Sequence, residues 1–442
     1  METRRLARNA VWNLLSLVAP MLVALVAIPT LIRTLGADRF GVLTLAWMLI
    51  GYCSLFDLGL GRALTKLVSE GMGEEASTGL ASAVWTALVL MLALGCGGAV
   101  IFTSVSGLLA HSALKVPLAL QAETVVSLRW IGAAIPLVTA TAGLRGILEA
   151  RQHFGSLSIL RTATGVLTFV GPVLAARSAG SLSAVIFTIV VIRLLSAIAH
   201  FVLCAVLAPE LLSDRHVSLR EVGPLFRFGG WLTISNLISP VMVSIDRFLI
   251  GMFLSVTDVA YYATPYEIVT KLQVIPSALA GVLFPAFSAT LVSDGARARQ
   301  LYTQGLAITL ALLLPLTAMV VAFAHSGLAI WLGAEFALHG YRVLQFLAVG
   351  VLINACAYLP ASFLHAAGRP DVTAKLHMIE FPLYIPLVCG LIRGYGIEGA
   401  AAGWVLRVTL DAALLFWMAG RALPKPTPMQ WEIANAGPAA RA

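Results

Sequence analysis

The chain has 442 residues, 59% of them hydrophobic and only 11% charged, with a mean hydropathy of +0.92. No soluble globular domain of this length can present so apolar a surface to water, which places the chain in the membrane. The net charge of +8 follows from the loop topology set out below and implies no nucleic acid partner.

The opening METRRLAR runs directly into the first apolar stretch. That stretch is too long for a signal peptide and lacks a cleavage site, so the N-terminus is expected to be retained. Twelve runs follow in chain order: 10–33, 40–62, 80–103, 124–147, 156–176, 183–206, 229–253, 261–289, 303–324, 341–364, 373–392 and 399–420. Each is long enough to cross the roughly 30 Å hydrocarbon layer as a helix. The predicted fold is an all-α integral membrane protein of about 12 transmembrane helices. It divides into an N-terminal six-helix bundle (1–208), a charged and Pro-containing cytosolic linker (209–228) and a C-terminal six-helix bundle (229–420). The tail 421–442 is rich in Pro and Ala and is expected to be disordered. No loop is long enough to hold a soluble catalytic domain.

Basic residues orient the spans. Short segments on the N-terminal side carry 18 of the 29 Lys and Arg residues, and the opposite side carries six. The positive-inside rule therefore places both termini in the cytosol. The remaining five, Arg129, Arg193, Arg247, Lys271 and Arg407, lie inside spans.

The pattern is also duplicated. Pro20 and Asp38 recur as Pro240 and Asp258, 220 residues later, and Leu148 and Ala150 recur as Leu364 and Ala366, 216 later. Six spans per copy insert both halves the same way up, related by a pseudo-twofold along the membrane normal. Two such halves around a central path are a transporter plan.

Cysteines without CxxC spacing and histidines without HxxxH or HExxH spacing give no support for a metal site. The segment FDLGLGRALTKLVSE (56–70) closes the second span with Asp57, then Gly59 and Gly61, then Arg62 and Lys66. Together with NAVWNLLSLVAPMLVALVAIPTLIRTLGADRFGVLTLA (9–46), SIDRFLIGMFLSVTDVAYYA (244–263), PSALAGVLFPAFSA (276–289) and FLHAAGRPD (363–371), it resembles the polysaccharide transporter family. These are the Wzx-type oligosaccharide (O-antigen) flippases, of the same superfamily as the multidrug and toxin extrusion exporters and the lipid II flippases. The resemblance implies two bundles around a central cavity and alternating access. It implies a substrate of undecaprenyl-pyrophosphate bearing a sugar unit, moved from the cytosolic to the periplasmic leaflet of a bacterial inner membrane. Membrane lipids, a polysaccharide polymerase and chain-length machinery are the partners it implies. Lipid II flippases usually carry fourteen spans, and this chain shows no extra pair after residue 420.

The hydrated anionic head of such a substrate needs a path offering water and positive charge. A charge at mid-helix costs at least about 2.5–3.5 kcal/mol, so each in-span basic residue calls for a reason. Arg129, Arg193, Arg247, Lys271 and Arg407, with Arg145 at the inner mouth, are the candidate anion contacts. Arg407 with Asp411, and Glu267 with Lys271, are spaced to form i,i+4 pairs. Asp246 and Arg247 are adjacent and point about 100° apart, so one of them is expected to face the interior. Asp57, Asp246, Glu267 and Asp411 are the candidates for proton or sodium coupling; no cofactor is expected. Export of cationic drugs is the alternative on the same architecture, and a membrane enzyme acting on polyprenyl-linked sugars is a third reading.

Overall fold

A computed structural model describes residues 2–53, 57–71, 79–212, 216–218, 222–223, 242 and 244–423. Nearly all of these are helical, and no strand occurs among them. The helices are α1 (Glu2–Leu35), α2 (Ala37–Tyr52), α3 (Leu60–Gly71), α4 (Leu80–Leu108), α5 (Leu118–Ala150), α6 (Phe154–Ala179) and α7 (Leu182–Leu207), then α8 over 244–253. They continue as α9 (Val256–Val269), α10 (Val274–Ser293), α11 (Gly295–Leu332), α12 (Ala334–Ala366) and α13 (Pro370–Ala422). The expected seventh span begins outside the described residues, as do parts of the linker 209–228 and most of the tail 421–442.

Among the described residues nine helices are long and apolar enough to cross a membrane. One of them is double. The 53 residues of α13 would extend about 80 Å if straight, more than twice the hydrocarbon thickness. The helix breaks at Gly396 (φ 62, ψ −142), a backbone region closed to residues with a Cβ. The two sides of the break correspond to the expected spans 373–392 and 399–420. The expected second span is broken too, between α2 and α3. Its counterpart is interrupted by the 3-10 turn Thr270–Gln273 between α9 and α10.

The duplication is visible in the helix bounds. Leu118–Ala150 and Ala334–Ala366 lie 216 residues apart at both ends. Gly180 (φ 61) and Gly396 (φ 62) keep that offset, as do Gln152 (φ 57) and Gly368 (φ 76), which end α5 and α12 in left-handed conformation.

The chain separates into two compact units, residues 1–260 and 261–442. In the first, α3, α4, α5 and α7 enclose a core that includes Leu64, Val84, Met91, Ile147 and Cys204. Where α2, α5 and α7 meet, Glu123 accepts from Arg39 Nε at 2.9 Å and from the Leu182 N–H that opens α7. The helix α8 also packs in this unit. The Lys115 N–H donates to the Gly251 carbonyl at 2.9 Å, and the hydroxyls of Tyr52 and Ser244 bond to each other. Gly41 lies against the Val256 carbonyl so closely that no Cβ fits, and Thr257 bonds Asp38. Duplication divides the chain at the linker, whereas packing divides it after Ala260, because α8 and its turn lie on α2. In the second unit Phe363 packs edge-on against Phe287 (5.5 Å) and Tyr302 (5.7 Å) between α10, α11 and α12.

Gly396→Ala is expected to destabilise the protein by about 1–3 kcal/mol, because it forces a Cβ into that turn. Gly394→Ala, with open space around its Cβ position, serves as the control. Thermal unfolding in detergent reads the difference, and equal shifts for the two would show that the turn is not the sensitive point.

A buried charge cluster in the α13 hairpin

The break at Gly396 folds α13 back on itself, and the two limbs face each other with polar side chains. His377, Glu380 and Tyr384 stand at i, i+3 and i+7 on the first limb, and Arg407 and Asp411 at i and i+4 on the second, so each set shares one helix face. Glu380 is 5% exposed and Asp411 7%. Arg407 Nη1 lies 4.0 Å from Glu380 Oε2, and His377 Nε2 lies 3.8 Å from Asp411 Oδ1. The Arg407 guanidinium also sits 5.4 Å from the centre of the Tyr384 ring, within cation–π range. The Glu380 and Asp411 carboxyls lie side by side between the limbs, and among the described residues Arg407 Nε has no hydrogen-bond partner. One ligand atom each from His377, Glu380 and Asp411 falls within 4.8 Å of the others.

The charges do not balance. Two carboxylates face one guanidinium, so with a neutral imidazole the cluster holds one negative charge in excess. An uncompensated charge away from water costs several kcal/mol. One proton, or one small cation held by the carboxylate oxygens and the imidazole, brings the cluster to neutrality.

Of the residues singled out from the sequence, the hairpin gathers Arg407 and Asp411, each turned to a partner on the opposite limb. Its other members, His377, Glu380 and Tyr384, were missed. The available signal was Glu380 three residues after His377 inside the mostly apolar run 373–392. Lys271 and Glu267 pair with each other at 3.3 Å, both about half exposed. Asp246 and Arg247 are both buried, and the Arg247 N–H donates to Asp246 Oδ1 at 2.8 Å.

Asp57 Oδ1 accepts from the Gly59 N–H at 2.8 Å, tying the turn that leads into α3, and its Oδ2 occupies the space a Cβ on Gly61 would need. Arg145 lies 3.7 Å from Glu149, which also bonds Arg161. Arg193 sits on α7 within electrostatic reach of Cys53, its Nε without a hydrogen-bond partner. Arg129 is exposed on α5, opposite Thr103 and Ser104 of α4.

The profile of the family described as polysaccharide biosynthesis protein matches residues 6–291. Over 416 residues, 93% of this chain and 97% of the other, the sequence is 30% identical to a putative O-antigen transporter of Shigella flexneri. The inward-facing structure of a multidrug resistance MATE family transporter of the MOP superfamily aligns with a TM-score of 0.78 at 14% identity, covering 93% of this chain and 98% of that one. The inward closed structure of the lipid II flippase MurJ aligns at 0.70 and 13% identity, covering 92% and 87%. At these identities the structural likeness establishes the fold.

Arg407→Ala strands Glu380 in the hairpin and is expected to destabilise the protein by about 3 kcal/mol or more. Adding Glu380→Gln to Arg407→Ala removes the stranded charge and recovers most of the loss. Unfolding of the two variants and the parent decides this; a single variant as stable as the parent would remove the ion pair from the account of the hairpin.

Proposed function

Because the chain belongs to the polysaccharide biosynthesis protein family, we propose that it is a flippase, turning a lipid-linked oligosaccharide from one leaflet of its membrane to the other. The observation that carries this reading is the 30% identity to an O-antigen transporter along nearly the whole of both chains. The fold shared with the lipid II flippase MurJ supports it. The protein is thus a transporter rather than an enzyme: it moves its substrate and leaves the bonds intact. Movement runs from the cytosolic to the periplasmic leaflet of a bacterial inner membrane by alternating access, with both termini in the cytosol. The bias of basic residues toward one side supports that orientation.

The substrate's anionic head is the pyrophosphate that joins the sugar unit to an undecaprenyl chain. A guanidinium meets such a group through parallel charge-assisted hydrogen bonds, which is why Arg serves better than Lys. Arg193 has a donor to spare and is the leading anion contact, with Arg145, Arg247 and Lys271 as the other basic groups along the path. Arg407 is engaged in the α13 cluster, which serves as the coupling site. It lacks one positive charge, and a proton or sodium ion that enters and leaves during the cycle would supply it. His377, Glu380 and Asp411 hold that ion, while Asp57 and Glu267 have local partners. Export of cationic drugs is the alternative on the same fold, and the 30% identity to an O-antigen transporter along nearly the whole of both chains favours the flippase over it.

Expression in a strain lacking its own O-antigen flippase is expected to restore surface polysaccharide. Arg193→Ala is expected to lower that yield about tenfold or more, with Arg193→Lys intermediate. Full restoration by Arg193→Ala would remove this residue from the path. In proteoliposomes, an imposed proton or sodium gradient is expected to accelerate flipping by the parent and not by Glu380→Gln or Asp411→Asn. Undiminished acceleration in both variants would place coupling elsewhere.

A further inference from the structure

We infer that the groove between α4 and α5 is a binding site for the phosphate and one chain of an anionic bilayer phospholipid, with Arg129 as its anchor. The groove measures about 630 Å³ and is lined by Ala99, Val100, Thr103, Ser104, Arg129 and Ala133. It opens because the two helices press together beside it: a Cβ on Gly132 would collide with Thr103 Oγ1, and one on Gly95 with the backbone of Pro136. Small residues then leave a channel next to that contact.

The surrounding face is a hydrocarbon face. On α4, Val100, Ile101, Val105 and Leu108 are exposed, and on α5, Leu118, Val126 and Trp130. Arg129 stands on this surface, eleven residues and so about 16 Å along α5 from its first residue, Leu118. Among the described residues it has no ion pair and no hydrogen bond. The nearest carboxylate in the sequence of α5, Glu123, is committed to Arg39 and to the start of α7. A guanidinium exposed at membrane depth demands a counter-anion, and no acidic side chain lines the groove.

The lining decides which anion. Ser104 donates its hydroxyl proton to the Val100 carbonyl at 2.8 Å, which leaves Arg129 and Thr103 as the donors. One guanidinium and one hydroxyl suit a single phosphate, and the Ala and Val walls suit a hydrocarbon chain. No carboxylate or amide is present to bond the hydroxyls of a glycan, so the occupant is a resident lipid of the bilayer rather than the transported one. This inference does not depend on the flippase reading.

The test titrates the full-length protein, purified in a neutral detergent, with phosphatidylglycerol and with phosphatidylcholine, read by native mass spectrometry. Phosphatidylglycerol is expected to be retained in preference. Arg129→Ala is expected to lower that retention about tenfold or more, and Arg129→Lys to keep part of it. Ala133→Phe, which fills the groove and leaves the charge, is expected to lower it as well. Unchanged helical circular dichroism establishes that the variants are folded. Retention by Arg129→Ala equal to that of the parent overturns the proposal. Displacement by equimolar undecaprenyl phosphate also overturns it, assigning the groove to the transported lipid. Displacement by inorganic phosphate alone removes the chain from the site and overturns it too.

Discussion

A peptide group in hydrocarbon has no water to bond, so every crossing segment must close its own hydrogen bonds. That demand makes the chain helical and decides where the helices can break. The break after α2 is tied by Asp57, whose carboxylate takes the Gly59 N–H. The break in the partner span is a 3-10 turn that keeps its bonds local. Hairpins turn on Gly180 and Gly396, whose left-handed backbone closes the link in a residue or two. Some hydroxyls within spans follow the same rule: Thr86, Thr188 and Thr309 each donate to the carbonyl four residues back. They add polarity to the sequence without adding an unmet partner to the membrane.

Charges cannot be satisfied so locally. Several of them draw a partner from another segment, and those pairs join the helices. Glu123 links α2, α5 and the start of α7 by taking two donors at once. The α13 limbs are joined by two ion pairs that stop short of hydrogen-bonding distance, at 3.8 and 4.0 Å. The first arrangement matches one carboxylate with one guanidinium and one N–H. The second sets two carboxyls against a single guanidinium between the limbs.

The apolar runs and their repeat were legible because hydrocarbon thickness and chain duplication both act at the scale of whole segments. The allegiance of α8 was not, since it depends on Gly41 and Val256 meeting, residues 215 positions apart with nothing in their neighbourhoods to announce it. Arg407 and Asp411 were legible as in-span charges, but their partners were not. An Arg N-terminal to an Asp at i,i+4 is the weaker orientation of such a pair, and the opposite limb offers Glu380 and His377 instead. Glu380 stands in a mostly apolar run, where hydropathy averages conceal one carboxylate. The expected exposure of Asp246 or Arg247 assumed that a helix face must look either at lipid or at water. Both side chains are buried in protein, a third environment that periodicity does not distinguish.

The repeat sharpens the contrast between the two hairpins. At the offset of 216, Glu380 corresponds to Thr164, Arg407 to Val191 and Asp411 to Leu195. At those three positions the hairpin of α6 and α7 has neutral groups, and its one charge at that level is Arg193 on α7. Thr164 donates to the Ser196 hydroxyl at 3.2 Å, and His200 bonds the Ser196 carbonyl at 2.7 Å. The α13 hairpin has the same turn and the same limbs, but its polar groups are one charge short of neutral. Any ion that supplies that charge stabilises one arrangement of the limbs over others by the cost of leaving it unmet, which for a buried carboxylate is several kcal/mol. A difference of that size is enough to shift a two-state equilibrium from one side to the other. The duplicated scaffold therefore gives both units the same hairpin, and among the described residues it is the second that carries paired carboxyls between its limbs.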